Sequence, residues 1–313
     1  MEKVIVAIHG LANKPPRDEL ADGWRRAIVE GLAKNAGIVD SGFRFEMVYW
    51  ADLMYKYSMH RDANFRADSL YNKEPYYPVA DPDVLKEYKD GFIDNVRNGL
   101  FDIVGDTLDV FKQKLGVDAL ADWMLGRLLK DLNYYYADRR IRGRNGAQGS
   151  TRKILRKDLL DVLKPLRDDK VLLIAHSMGS IIAYDALRDL GREAPDFELD
   201  TLVTIGSPLG VPHVKAKIIE ERNYHSAEKD ADRVRAPTVV RGAWFNFADR
   251  KDPVAVDAHL ADDYQANASK VHVRDDLVSN DYIGPEVGKP NHHKSYGYLR
   301  TPEFSRRVAE FLK

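Results

Sequence analysis

KVLLIAHSMGSII, residues 170–182, changes periodicity halfway along. Val171 to Ala175 is an apolar run long enough for one buried strand and too short for a helix. His176-Ser177-Met178-Gly179 then turns the chain sharply. From Met178 the spacing is helical: Ile181, Tyr184 and Leu187 fall three apart, with Ile182 and Ala186 four apart beside them. Strand, tight turn with a central Ser, and helix form the setting in which a G-x-S-x-G motif carries mechanistic meaning. Here Ala175 stands at the first small position, so the motif reads A-H-S-M-G. A Ser on such a strained turn needs small residues two before and two after it, because larger side chains would strike the strand and the helix. The same turn aims the Met178 N–H and the helix N-terminus at the place where an oxyanion would form. An ordinary strand–helix connection shares much of this pattern, so the rest of the chain has to decide.

With 313 residues, the chain is large enough to bury about three quarters of its unfolded surface, in one large domain or two modest ones. Its 48 basic and 49 acidic residues balance, which argues against a chain-wide nucleic-acid-binding role. The absence of cysteine removes disulfides, thiolate nucleophiles and cysteine metal sites. MEKVIVAIHG at the start reads as a core strand rather than a signal or transit peptide. No apolar run approaches the ~18 residues of a membrane span. A soluble, cytoplasmic protein is the expectation.

Outward from the central stretch, other strand-length runs recur. Val4 to Ile8 ends at His9-Gly10, and Asp18 to Lys34 follows with helical spacing (Leu20, Trp24, Ile28, Leu32). Phe43 to Trp50 alternates and is rich in aromatics, so strand, helix and strand suggest a parallel βαβ unit. Residues 51–150 show no strong strand and carry amphipathic patterns over Val84 to Leu100, Ile103 to Leu115 and Leu120 to Tyr136. A stretch of roughly a hundred residues exceeds any plain connection and is read as a helical insertion or cap. Its apolar faces fit helix packing, or alternatively a pocket lining. Arg139 to Lys157 gathers basic residues around GRNGAQGS and reads as a solvated loop and helix face, with contact to a membrane surface as the alternative. A helix over Thr151 to Leu163 precedes the central strand. Thr201 to Ile205, Thr238 to Phe247 and a short Val271 to Val273 follow as strands, and Thr301 to Leu312 as a closing helix. The sum is a doubly wound α/β fold with a mostly parallel sheet of about six strands. Residues 1–50 and 151–313 form its core, and 51–150 the insertion.

A Ser hydroxyl needs a general base, and the base needs a partner that fixes its tautomer and stabilises the imidazolium. Functional groups of doubly wound sheets gather just past the carboxyl ends of strands. After the run ending near Phe247 stand Asp249, Asp252 and, further on, Asp257. Asp252 is preferred because Pro253 holds it in a fixed extended turn, with Asp249 as second choice; a helix cap is the ordinary alternative for either. Of nine histidines, His292 and His293 alone lie in a loop between these carboxylates and the last helix. His293 is preferred as base, with His292 as second choice. The pair has no third ligand at helical spacing and no H-E-x-x-H pattern, which argues against a metal site. Met178 supplies one oxyanion donor, and His9-Gly10-Leu11 after the first strand fits the second.

VIVAIHGLAN, LIAHSMGS, TIGSPLG, KDPVA and NHHKSYGY together resemble the α/β-hydrolase fold. AHSMG with an N-terminal HG strand is particularly similar to the minimal lipase and esterase branch, in which Ala opens the nucleophile turn. The resemblance implies Ser177 as nucleophile, His293 as base, Asp252 as acid and the N–H groups of Leu11 and Met178 as the oxyanion hole. It implies hydrolysis of a small-molecule acyl ester with no metal or cofactor. The usual leading hairpin is missing here, and the insertion lies before the nucleophile turn rather than after the next strand, so substrate specificity does not carry over. Within enzymes the rivals are thioesterase, amidase and phospholipase, the last acting at a membrane surface. Outside enzymes the alternative is a binding or signalling protein that keeps the fold without turnover.

Overall fold

A computed structural model of the chain describes residues 1–11, 14–39, 42–55, 126, 132–137, 139–225, 234–283 and 291–313. Most of the expected insertion, 51–150, therefore lies outside the described residues. Among the described residues, strands β1 (Lys3–Ile8), β2 (Arg44–Val48), β5 (Lys170–His176), β6 (Leu199–Ile205), β8 (Val240–Ala248) and β10 (Val273–Leu277) form one six-stranded sheet, β7 (Val234–Arg235) and β9 (Tyr264–Gln265) form a separate parallel pair, and α2 (Ala51–Met54) is a short helix after β2. The order of the large sheet is β10-β8-β6-β5-β1-β2, and every pairing in it is parallel. Helices flank it on both faces, so the fold is a parallel α/β layer structure.

The continuous apolar runs make sense in this setting, because central parallel strands are covered on both sides. Val4, Val6 and Ile8 of β1, with Val171, Leu173 and Ala175 of β5, face one core. That core is completed by Leu155 and Leu159 of α3 (Thr151–Leu163) and Ile181 and Leu187 of α4 (Met178–Glu193). Ile5, Ala7, Leu172 and Ile174 face the other. There they meet Trp24 and Ile28 of α1 (Arg17–Ala36) and Phe304 and Val308 of α7 (Pro302–Leu312). Each fully buried Leu or Ile among them contributes about 1.5–3 kcal/mol over its exposed state.

Chain order reverses beside β1, since β2 lies on one side of it and β5 on the other. At such a switch point the flanking helices leave on opposite faces and a crevice opens past the strand ends. Here those ends are His9-Gly10-Leu11 and His176-Ser177.

Three local readings need correction. The last strand is Val273–Leu277, later than the expected Val271 to Val273. It is a polar edge strand (VRDDL), and the apolar signal marks only its start. Helix α5 (Pro212–His225) has no counterpart in the sequence reading. Among its described side chains, only Val214 and Ile218 are buried apolar ones, too narrow a stripe to announce a helix.

The basic stretch 139–157 is also more structured than a solvated loop. Arg140–Arg142 (β3) and Gln148–Ser150 (β4) pair as an antiparallel hairpin. Arg144 binds Asp52 at 2.7 Å and Asp158 at 2.9 Å. Arg156, nearly buried, joins Asp185 at 2.5 Å and Glu221 at 2.9 Å, and donates to the Tyr135 hydroxyl at 3.0 Å. The cations were legible in sequence; their partners, far along the chain, were not. Among the described residues, no helix is long and apolar enough to cross a membrane.

Candidate active site

Ser177 links β5 to α4 with φ 53° and ψ −130°, a conformation that costs a residue with a Cβ about 1–3 kcal/mol. The surroundings hold it there. Its N–H donates to Ile205 O of β6 at 3.1 Å, and its carbonyl accepts the Ser180 N–H at 2.9 Å and hydroxyl at 2.6 Å. Small neighbours are a steric necessity. A Cβ on Gly179 would lie 2.5 Å from His9 O, and one on Gly10 would lie 2.6 Å from Ser177 Cβ. The Gly10 backbone therefore runs directly against the serine.

The Ser177 hydroxyl oxygen is 2.9 Å from His293 Nε2, and His293 Nδ1 is 2.9 Å from both oxygens of Asp252. An ionised carboxylate only accepts, so Nδ1 carries the proton and Nε2 is left to accept from the serine. All three residues are buried. The His293 backbone is fixed from several sides: its N–H donates to Asn291 Oδ1 at 3.1 Å and its carbonyl accepts from His176 Nε2 at 2.8 Å. Asn280 Nδ2 donates to the carbonyls on either side, those of His292 and Lys294, each at 2.8 Å.

Asp252 stands on the turn after β8, as Pro253 suggests. No helix begins at Pro253, so the helix-cap alternative falls; Asp252 Oδ1 instead accepts the Val254 N–H at 2.8 Å and closes a turn while the same carboxylate pairs with His293. Its Oδ2 accepts the hydroxyl of Tyr298 at 2.7 Å. Tyr298 belongs to the short helix α6 (Ser295–Tyr298) and escaped the sequence reading. Burial, then the Asp252 charge, pushes its phenol well above the ordinary tyrosine range, so it remains a neutral donor.

The second-choice residues also find each other. His292 Nδ1 is 2.9 Å from Asp249 Oδ2, which in turn accepts the Asn280 N–H at 2.7 Å. The two adjacent histidines thus make two separate His–Asp pairs, and it is His293 whose other nitrogen meets Ser177.

Leu11 is buried just past β1, and Met178 opens α4. Among the described residues neither N–H meets a backbone carbonyl. His9 anchors the turn before Leu11. Its Nε2 accepts the Trp50 N–H at 3.1 Å, so Nδ1–H donates to Gly10 O at 2.8 Å, and the ring stacks on Trp50 at 4.6 Å. Burial, aided by the Lys14 charge, holds His9 neutral. Burial, then the neighbouring His293, does the same for His176. A hydroxyl, an imidazole and a carboxylate in this chain of contacts can pass the serine proton to His293 while the carboxylate steadies the resulting cation.

No protein-family model matches the chain. Over 92 residues it is 34 % identical to the Saccharomyces cerevisiae (strain ATCC 204508 / S288c) protein named "Probable phospholipase YOR022C, mitochondrial"; the match spans 29 % of this chain and 12 % of that protein's length. A crystal structure from Agrobacterium vitis S4, of a protein that bears a hydrolase's name, covers 54 % of this chain with 73 % of its own, at 14 % identity and a TM-score of 0.30. The chain thus spans only about an eighth of the length of that yeast protein.

Proposed function

We propose that this chain is a serine hydrolase of the α/β-hydrolase fold that cleaves acyl esters through an acyl-enzyme intermediate. The observation that carries the reading is the Ser177–His293–Asp252 chain of 2.9 Å contacts, centred on a serine at positive φ. In this mechanism His293 Nε2 takes the Ser177 proton as the hydroxyl oxygen attacks the ester carbonyl. The N–H groups of Leu11 and Met178 receive the negative oxygen. The C–O bond to the alcohol then breaks, the alcohol leaving with the proton from His293. Water, deprotonated by the same imidazole, attacks the acyl-serine and releases the acid. Asp252 holds His293 in the required tautomer throughout.

The membrane-surface version of this reading has less support. Arg144, Arg152 and Arg156 of the basic stretch are paired with carboxylates of this same chain.

The test is a panel of acyl esters of increasing length together with labelling by a fluorophosphonate. Wild type should turn over at least one ester and label at Ser177. Ser177→Ala should lose about four to six orders of magnitude in turnover. Equal rates in the two proteins would remove the assignment, and a folded wild type that neither turns over nor labels would favour a binding protein.

A further inference from the structure

Behind the nucleophile turn, two buried serines that the triad does not use face each other. Ser180 lies in the first turn of α4 and Ser207 follows β6, with their hydroxyl oxygens 2.7 Å apart. Chemistry fixes the direction of each hydrogen bond. The Ser177 carbonyl can only accept, so the one hydroxyl proton of Ser180 goes to it, at 2.6 Å. Ser180 Oγ therefore accepts from Ser207, whose own oxygen accepts the Leu209 N–H at 3.2 Å in the short helical turn Pro208–Gly210. Donors thus run in series, from the Leu209 N–H through Ser207 and Ser180, and end on the Ser177 carbonyl. That carbonyl is already answered by the Ser180 N–H at 2.9 Å, so satisfying a buried acceptor does not require the hydroxyl.

The Ser177 carbonyl and the Met178 N–H are the two ends of one planar peptide unit. Each bond accepted at its oxygen draws electron density from its nitrogen and leaves the N–H a stronger donor. Hydrogen bonds in series polarise one another by about 10–30 % per bond. Resting on the serine-hydrolase reading above, in which the Met178 N–H receives the oxyanion, we propose that Ser180 and Ser207 are positioning residues that strengthen and aim this donor. Neither touches the substrate; both act through the peptide between Ser177 and Met178.

The test replaces the oxygen that this donor serves. p-Nitrophenyl butanoate is compared with its thiono analogue, whose C=S sulfur accepts hydrogen bonds only weakly. Losing an oxyanion donor outright costs about a hundred- to a thousandfold in kcat. Weakening it in Ser180→Ala should lower kcat/KM for the oxygen ester by about three- to tenfold and leave the thiono ester nearly unchanged. The oxygen-to-sulfur ratio then falls by the same factor. Ser207→Ala, one bond further away, should shift the ratio in the same direction by about twofold, and it carries the test if Ser180→Ala does not fold. A turn that had merely moved would slow both esters alike, and an unchanged ratio overturns the proposal. A second readout needs no turnover: with isotopically labelled methionine, the Met178 amide proton resonance should move upfield in Ser180→Ala, and less so in Ser207→Ala. A Met178 signal that stays in place overturns the proposal even where esters are cleaved. A wild type that neither cleaves nor is labelled by a fluorophosphonate removes the hydrolase reading and this one with it, whereas an active wild type with an unchanged ratio in both variants removes only the role of the two serines.

Discussion

One hydroxyl ties together the two carboxylate turns behind the histidine pair: Tyr298 donates to Asp252 Oδ2 at 2.7 Å and accepts the Asp249 N–H at 3.0 Å. Removing it leaves a buried carboxylate and a buried N–H each short of a partner.

Tyr298→Phe should therefore cost about 1–3 kcal/mol of stability. It should also lower kcat by roughly tenfold with little change in KM, because Asp252 would hold the imidazole less firmly. Urea unfolding and steady-state kinetics read the two effects. A variant with full stability and full kcat would show that the phenol is a bystander.

Gly10→Ala tests the close approach of β1 to the nucleophile turn. The new methyl would meet Ser177 Cβ at 2.6 Å and His176 Nδ1 at 2.8 Å. Either the strand end or the serine must move, and a displacement of about 1 Å is enough to cost about a hundredfold in turnover. Fluorophosphonate labelling should slow in proportion. Wild-type labelling rates in this variant would contradict the crowding described at Ser177.

His9 and His176 set the response to acid. Burial lowers both from the ordinary value of 6.5, so below that pH the unfolded chain takes up protons that the folded one refuses. Stability is complete above 6.5 and falls as pH drops below it, by up to about 1.4 kcal/mol per pH unit for each residue. Unfolding free energies at pH 7.5 and 5.5 should differ accordingly, and His176→Gln should remove about half of the histidine contribution. An identical pH difference in the variant would acquit His176.

Arg156 makes the case for buried charge. Its guanidinium answers Asp185 and Glu221 and touches Tyr135. Glu221 is pushed up by its burial, yet Arg156 and then Arg152 outweigh this and hold it at about 2. Arg156→Leu takes the nearest cation from Asp185, which keeps Arg188 at 3.6 Å and the Tyr135 hydroxyl at 2.9 Å, while Glu221 keeps Arg152 and Arg188, and should destabilise by about 1–3 kcal/mol. Adding Asp185→Asn should recover part of that loss. A strictly additive double variant would show that the two residues do not act as a pair.

What sequence could and could not say follows from the reach of each signal. Val4 to Ile8 and Val171 to Ala175 were legible as strands because both of their faces are buried, which makes the apolar run continuous. Ser177, Asp252 and His293 could be singled out because each follows a strand or precedes a helix with a distinctive neighbour: Gly179, Pro253, the doubled histidine. The choice between His292 and His293 depended on which of two carboxylates each would meet, and spacing does not carry that. Tyr298 gave no signal, since a tyrosine in SYGY looks like core. The α5 helix gave none because its described side chains bury so little, and the ends of β10 blurred because an edge strand of Arg and Asp is patterned like a loop.

Among the described residues the central sheet ends on β2 at one rim and β10 at the other, and both rims carry charge: Arg44 and Glu46 on the first, Arg274 and Asp276 on the second. A copy of the chain seeking to lengthen the sheet would have to strip water from those groups before gaining any backbone pairing. Growth into fibrils by strand addition is thereby discouraged at both ends, which leaves concentrated solutions of the folded protein protected at the places where open parallel sheets are most exposed.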